Sequence, residues 1–258
     1  MPVHDLPLLI DVARAAGRIA TGYTGPSARR WYKPDDAGPV TEADLAVNEM
    51  MQETLCAARP GYGWLSEETE DGRARLSKKR VFIVDPIDGT RSFVEGSDTW
   101  AHALAVAEGG VVTAAVVFLP MLDRLYAAAL GQGATLNGEP IRASTCATLG
   151  RATVLAAKPM LVADLWKGHA TPTFKRSYRP SLAYRMSLVG QGRFDAMITL
   201  RKSWEWDIAA GALIVSEAGG ICSDRKGKAL SFNNPDPRLN GVVAGGPAVH
   251  GALTAALA

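Results

Sequence analysis

Several scarcities narrow the possibilities before any motif is read. The chain has three cysteines in 258 residues, Cys56, Cys146 and Cys222, odd in number and far apart. With no CxxC pair and no histidine at ligand spacing, a disulfide framework or a zinc site is not expected. The thiols read as small buried groups in a reducing compartment. Histidine is equally sparse, and none of His4, His102, His169 and His250 falls within a motif described below. Excess charge is missing too: 28 Lys plus Arg stand against 26 Asp plus Glu, a formal net charge of +2. That excludes a strong sequence-independent attraction to a nucleic acid polymer or an anionic membrane. No apolar run approaches the ~18 residues of a bilayer span. Nor does the N-terminus read as a secretory leader, because Asp5 and Asp11 interrupt its apolar residues; a cytoplasmic location is expected. The remaining composition, 47% hydrophobic and 21% charged, is that of an ordinary globular chain and not of a disordered or collagen-like one.

Hydrophobic spacing then supplies the elements. Residues 6–20 carry Leu6, Leu9, Ile10, Ala13, Ala16, Ile19 and Ala20 on one face and Asp11, Arg14 and Arg18 on the other, which predicts an amphipathic helix. Residues 21–39 read as a surface loop or short hairpin, followed by a second helix over 42–59 with Thr41 as its N-cap. A buried strand is predicted over 80–85, then an antiparallel meander from 100–107, 111–118 and 124–129. In the second half, strands at 153–157 and 196–199 alternate with helices at 181–190 and 208–218, and a further short strand follows. The reading is an α+β half over 1–140 and an α/β half over 141–258. Residues 160–179 look loop-like, give no functional reading of their own, and are a candidate border of the substrate pocket.

Three segments hold acids in settings that structure alone does not require. In Trp64 Leu65 Ser66 Glu67 Glu68, adjacent carboxylates follow an apolar pair, though a solvated turn would also account for them. In Val84 Asp85 Pro86 Ile87 Asp88 Gly89 Thr90, an acid ends a buried strand and another returns three residues later. Two carboxylates and the Ile87 carbonyl can then converge on one point, an arrangement of like charges that is costly unless a cation occupies it. Gly89 allows close backbone approach, and if a helix opens there the amides of Gly89 and Thr90 form an anion-binding end. In Trp204 Glu205 Trp206 Asp207, Asp207 begins a helix, where plain N-capping is the competing explanation. Ala209, Ala210 and Gly211 would let that turn approach a neighbour closely.

Taken together, the run from Asp85 to Thr90, Trp206 Asp207 and Glu217 Ala218 Gly219 Gly220 resembles the two signatures of the inositol monophosphatase superfamily. Val40 Thr41 Glu42 Ala43 Asp44, Ser66 Glu67 Glu68 and Asn137 Gly138 match its pattern in order and spacing, so the likeness runs over nearly the whole chain. It implies a layered αβαβα sandwich, an N-terminal antiparallel sheet beside a C-terminal mixed sheet, in a chain that is often a homodimer. It also implies Mg²⁺-dependent, Li⁺-sensitive hydrolysis of small phosphate monoesters by metal-activated water, without a covalent intermediate. Carried over by motif position, Glu67, Asp85 and the Ile87 carbonyl hold one ion. Asp85, Asp88 and Asp207 hold a second, and a weaker third lies near Glu67, giving two or three Mg²⁺ ions. Gly89 and Thr90 hold phosphate, while Thr90, oriented by Asp44, aligns or deprotonates the attacking water. Hard oxygen ligands without His or Cys suit Mg²⁺.

The substrate is less defined. Ser66 before the glutamate pair, and Glu205 before Trp206 Asp207, are similar to the 3′(2′),5′-bisphosphate nucleotidase branch. Arg185 falls near a lysine of that branch and would offer a cation to a second phosphate. These features make adenosine 3′,5′-bisphosphate the expected substrate, with Glu205 and Arg185 as substrate contacts. Arg91 Ser92 Phe93 is instead similar to histidinol-phosphate phosphatases, and residues 208–213 to inositol monophosphatases, so histidinol phosphate and inositol 1-phosphate stay open. A catalytically silent relative that binds phosphorylated ligands would have lost a metal carboxylate, and none of Glu67, Asp85, Asp88 and Asp207 is missing.

Overall fold

A computed structural model describes residues 5–23, 28–32 and 38–258; His4 and parts of the 21–39 segment lie outside these. Helices α1 (Leu6–Ala20) and α2 (Glu42–Ala58) lie together against one face of a seven-stranded sheet. That sheet runs in the order Gly63–Ser66, Arg80–Asp88, Ala101–Glu108, Val111–Leu119, Arg124–Ala129, Ala134–Leu136 and Glu139–Pro140. Its first pair is parallel and every other pair antiparallel. The meander read from the sequence is therefore present, with one strand added in parallel at its edge.

Both faces of this sheet are covered, which is why its strands are apolar throughout. Phe82, Val84, Leu104 and Val106 point toward α1 and α2, whereas Val81, Ile83, Ala103 and Ala105 point the other way. After the short helix α3 (Thr90–Val94) and the meander, the opposite face receives α4 (Leu182–Gly190) and α5 (Glu205–Glu217). Beyond them lies a mixed five-stranded sheet in the order Lys175–Ser177, Thr153–Ala156, Ala196–Thr199, Val242–Gly245 and Ile221–Ser223. Helix α6 (Pro247–Ala256) packs on its outer side. The layers are thus αβαβα. Helices α4 and α5, held between two sheets, show no polar stripe, as expected of fully enclosed helices. They also approach closely: a Cβ on Gly211 would stand 2.5 Å from Met186 Cβ, so any larger residue there would force α5 away from α4.

Four details depart from the sequence reading. The strand expected to stop at Asp85 continues to Asp88. The helix expected from 208 opens at Glu205. Residues 160–179 contain single 3₁₀ turns and the edge strand Lys175–Ser177. The three cysteines are free and only partly buried. No helix among the described residues is long and apolar enough to cross a membrane.

Candidate active site

The site begins with a register change. Asp85 lies opposite Ala103 and Asp88 opposite Ala101, so two residues on one strand face one on the other. An odd separation along a regular strand would send the two acids to opposite faces; the extra residue in the bulge brings them back toward the same end. The single residue opposite the bulge is His102, fully buried, whose Nδ1 lies against the Pro86 carbonyl. Since a carbonyl only accepts, Nδ1 carries the proton. Burial lowers the His102 pKa to about 4, leaving the ring neutral. Gly89 ends the run at φ +100°, a conformation that glycine adopts without strain, and α3 starts at Thr90.

Two other elements deliver acids to the same place. Strand Gly63–Ser66 runs parallel to Arg80–Asp88 with Ser66 opposite Val84, and the Glu67 amide donates to the Val84 carbonyl at 3.3 Å. Glu67 therefore emerges beside Asp85 at the carboxyl ends of the pair. Asp207 arrives in the first turn of α5, not at the cap, which is Trp204 and makes no side-chain capping bond. The plain N-cap explanation for Asp207 is thereby set aside. Ligand oxygens of Glu67, Asp85 and Asp207 lie within 4.8 Å of one another. Asp85 Oδ1 is buried with no hydrogen-bond partner among the described residues. Burial first, then repulsion from Glu67, Asp88 and Asp207, pushes the Asp85 carboxyl well above the usual range. Burial and the charges of Asp88 and Glu67 do the same to Asp207.

Asp88 stands beside this trio, one oxygen committed elsewhere. Its Oδ2 accepts from Ser181 Oγ at 2.7 Å and from the Ala183 amide at 2.6 Å, tying it to the start of α4. Burial still raises its pKa. Thr90 Oγ1 lies 3.2 Å from Asp44 Oδ1 and 3.1 Å from the Ile87 carbonyl. Asp44 is itself fixed by a capping box with Thr41, and its pKa is raised by burial to about 6. A cavity of about 390 Å³ opens over these groups, lined by Glu67, Asp85, Asp88, Gly89, Thr90 and Asp207.

Of the two expected substrate contacts, the structure brings only Arg185 into the cavity lining, its guanidinium 5.6 Å from the Tyr178 ring centre. Glu205 is a correction: it is absent from the lining, fully buried, and turned to the far side of the α5 start. There it accepts from the amides of Asn233 at 2.6 Å and Asn234 at 2.9 Å and from Asn234 Nδ2 at 2.7 Å. With both oxygens engaged by the asparagines and no exposure to the cavity, this acid is not placed to meet a substrate. Sequence reasoning missed Tyr178, Arg201 and the stacked rings of Trp204 and Trp206, 4.6 Å apart, all of which border the cavity. For Arg201 a signal existed, since it follows the buried strand Ala196–Thr199 immediately after one residue and strand ends often carry function.

The donor set suits a hard divalent cation. An unpartnered buried carboxylate oxygen, mutual repulsion among Glu67, Asp85 and Asp207, and an all-oxygen cluster are each relieved by such an ion. Comparison with known proteins agrees with the geometry. The chain matches the Inositol monophosphatase family over residues 4–258. It is 32% identical to the histidinol-phosphatase of Chlorobaculum parvum over 230 residues, 87% of each chain. It is also 32% identical to the inositol-1-monophosphatase of Mesorhizobium japonicum over 266 residues, 98% of this chain and 95% of that one. The structure of the Thermotoga maritima IMPase superposes with a TM-score of 0.82 at 29% identity, covering 99% of this chain and 96% of that one. With its fold, its acidic cluster and residues 4–258 all accounted for in this way, the chain belongs to the inositol monophosphatase family.

Proposed function

We propose that this phosphomonoesterase removes phosphate from a 3′,5′-bisphosphorylated nucleoside, using two or three Mg²⁺ ions held by Glu67, Asp85, the Ile87 carbonyl, Asp88 and Asp207. The observation that carries the metal-dependent reading is the Asp85 carboxylate, buried among like charges with one oxygen unpartnered. Bound Mg²⁺ supplies a Lewis acid that activates water and neutralises charge on the transferring phosphoryl oxygens. The chain's own groups do the rest. The amides of Gly89 and Thr90 hold the phosphate at the start of α3, Thr90 Oγ1 orients the attacking water, and Asp44 anchors that hydroxyl. With a pKa near 6, Asp44 is also matched to taking up a proton at neutral pH.

Support for the nucleotide comes from the rest of the cavity. Beyond the metal acids its lining carries Arg91, Arg185 and Arg201 together with Tyr178, Trp204 and Trp206, and no further carboxylate among the described residues. Such walls suit a second anionic group and a planar ring. Beyond the metal acids they carry no carboxylate among the described residues to pair with a substrate ammonium. Histidinol phosphate is the second reading, favoured by the name of the Chlorobaculum parvum relative and by aromatic walls that would take an imidazole. The deciding measurement is kcat/KM for adenosine 3′,5′-bisphosphate, histidinol phosphate and inositol 1-phosphate at equal Mg²⁺, with and without Li⁺. A preference of about tenfold or more for the bisphosphate, some 1.4 kcal/mol in the transition state, is expected. A preference for histidinol phosphate would replace the first reading with the second.

A further inference from the structure

Glu205 and Arg75 belong to a buried polar clamp that joins two of the three acid-bearing segments. Arg75 is 2% exposed. Its Nε and Nη2 donate to the two oxygens of Asp71 at 3.0 and 2.7 Å, its Nη1 to Asn233 Oδ1 at 2.6 Å, and its Nη2 also to the Asn234 carbonyl at 2.9 Å. On the other side, the same two asparagines donate three bonds to Glu205. Asn233 holds φ +63°, a conformation asparagine tolerates better than most residues and one that aims consecutive amides at a single carboxylate. The Glu205 amide donates to the Pro237 carbonyl at 2.9 Å, closing the loop on the start of α5.

Followed along the chain, the clamp connects ligand to ligand. Glu67 lies four residues before Asp71, and the segment between is pinned at Thr69, whose hydroxyl accepts from Asn48 Nδ2 at 3.0 Å and Trp64 Nε1 at 3.1 Å. Asp207 sits two residues after Glu205 in the same helical turn. The path Glu67, Asp71, Arg75, Asn233 and Asn234, Glu205, Asp207 thus runs through charge-assisted bonds, which are short and directional. Helix α5 packs on the sheet through apolar side chains, and among the described residues no backbone pairing ties its first turn to the Glu67 segment, so the polar clamp supplies the directional link between them. We propose that Arg75 and Glu205 are positioning residues that set the separation of Glu67 and Asp207, and so tune metal affinity without touching metal or substrate. This rests on the reading of Glu67 and Asp207 as ligands of a common metal site.

The test is calorimetric titration of Mg²⁺ into the metal-free full-length chain, for wild type, Glu205→Gln, Arg75→Lys and the double variant, with circular dichroism to establish folding. Each single variant is expected to bind Mg²⁺ roughly tenfold or more weakly. Turnover at saturating Mg²⁺ should fall much less, because the ligands remain. The double variant should be little worse than either single one, since both break the same link. If Glu205→Gln does not fold, Asn234→Ala, which removes a single side-chain donor, should show the same shift on a smaller scale. A folded single variant with wild-type Mg²⁺ affinity, or losses that multiply in the double variant, overturns the inference. Failure of the wild type itself to bind Mg²⁺ overturns the metal-dependent function instead, so the two failures are told apart.

Discussion

Carboxylates are buried in two neighbouring regions of this molecule, and the regions treat them in opposite ways. Glu205 is enclosed yet receives three hydrogen bonds, with Arg75 close behind the asparagines that donate them. Asp85 is equally enclosed but faces Glu67, Asp88 and Asp207, with one oxygen lacking any partner among the described residues. Burial raises the pKa of both, but at Glu205 the bonds from Asn234 and Asn233 work against the rise, whereas at Asp85 the neighbouring charges add to it. The difference shows that burial of an acid does not by itself mark chemistry. A buried charge with donors on both oxygens belongs to the framework, and one left without them among like charges suits a counter-ion.

The sharpest way to break this contrast is to neutralise each acid in turn. Asp85→Asn should lower Mg²⁺-dependent turnover on the order of 10³-fold, roughly 4 kcal/mol of transition-state stabilisation, while raising the melting temperature of the metal-free chain. The pH sign follows from the raised pKa. Above the ordinary carboxylate range the folded chain holds a proton that the unfolded chain has released, so this group's contribution is present at low pH and is lost as pH rises through its folded pKa. The variant should remove that slope. Glu205→Gln should instead lower the melting temperature, because an amide presents a donor to donors. Melting shifts of the same sign in both variants would erase the distinction.

His102 combines the two conditions, with Nδ1 bonded to the Pro86 carbonyl and Nε2 without a partner among the described residues. Its pKa is lowered from 6.5 to about 4. Between those values the unfolded chain binds a proton that the folded chain refuses, so stability is complete above pH 6.5 and declines toward pH 4. The loss is on the order of 3 kcal/mol. His102→Asn keeps a donor for Pro86 and cannot titrate. In urea unfolding at pH 7 and pH 4.5, wild type should lose more stability than the variant. Parallel losses would show that the imidazole does not carry the acid sensitivity.

Much of this arrangement was legible from the sequence, because local chemistry and periodicity dictated it. The buried apolar run 81–84 and the Thr41 N-cap appear as read, and the acids of three separate segments were marked for the company they would keep. What escaped was non-local. The bulge depends on pairing Asp85–Asp88 with a strand beginning at Ala101, a register that no single segment encodes. Glu205 seemed a substrate contact because it adjoins Trp206 Asp207, but successive helical residues point about 100° apart. Asp207 therefore faces the cavity while Glu205 faces Asn233 and Asn234. Tyr178 lies in no acidic motif and gains meaning only when the second sheet delivers it to the cavity, while Arg201 had no more than its strand-end position to mark it.

The smallest expected effect probes the cationic wall that sets the cavity apart from the clamp. Arg185 is held over Tyr178 by its planar face, and its Nε reaches the Ser181 carbonyl at 3.4 Å. The guanidinium is therefore oriented before substrate arrives, within the electrostatic reach of Asp88. Arg185→Lys keeps the positive charge near Asp88, so metal binding should be little altered. It loses the flat fork that stacks on the ring and pairs with two phosphate oxygens at once. KM for adenosine 3′,5′-bisphosphate should rise about five- to tenfold, roughly 1 kcal/mol, with less than about a twofold change for inositol 1-phosphate, which has no second phosphate to lose. Equal increases for both substrates would make Arg185 a general support of the cavity. Arg75, whose three nitrogens all bond to Asp71, Asn233 and Asn234, should show no such discrimination between substrates when changed to lysine, because its effect passes through the metal site that every substrate shares.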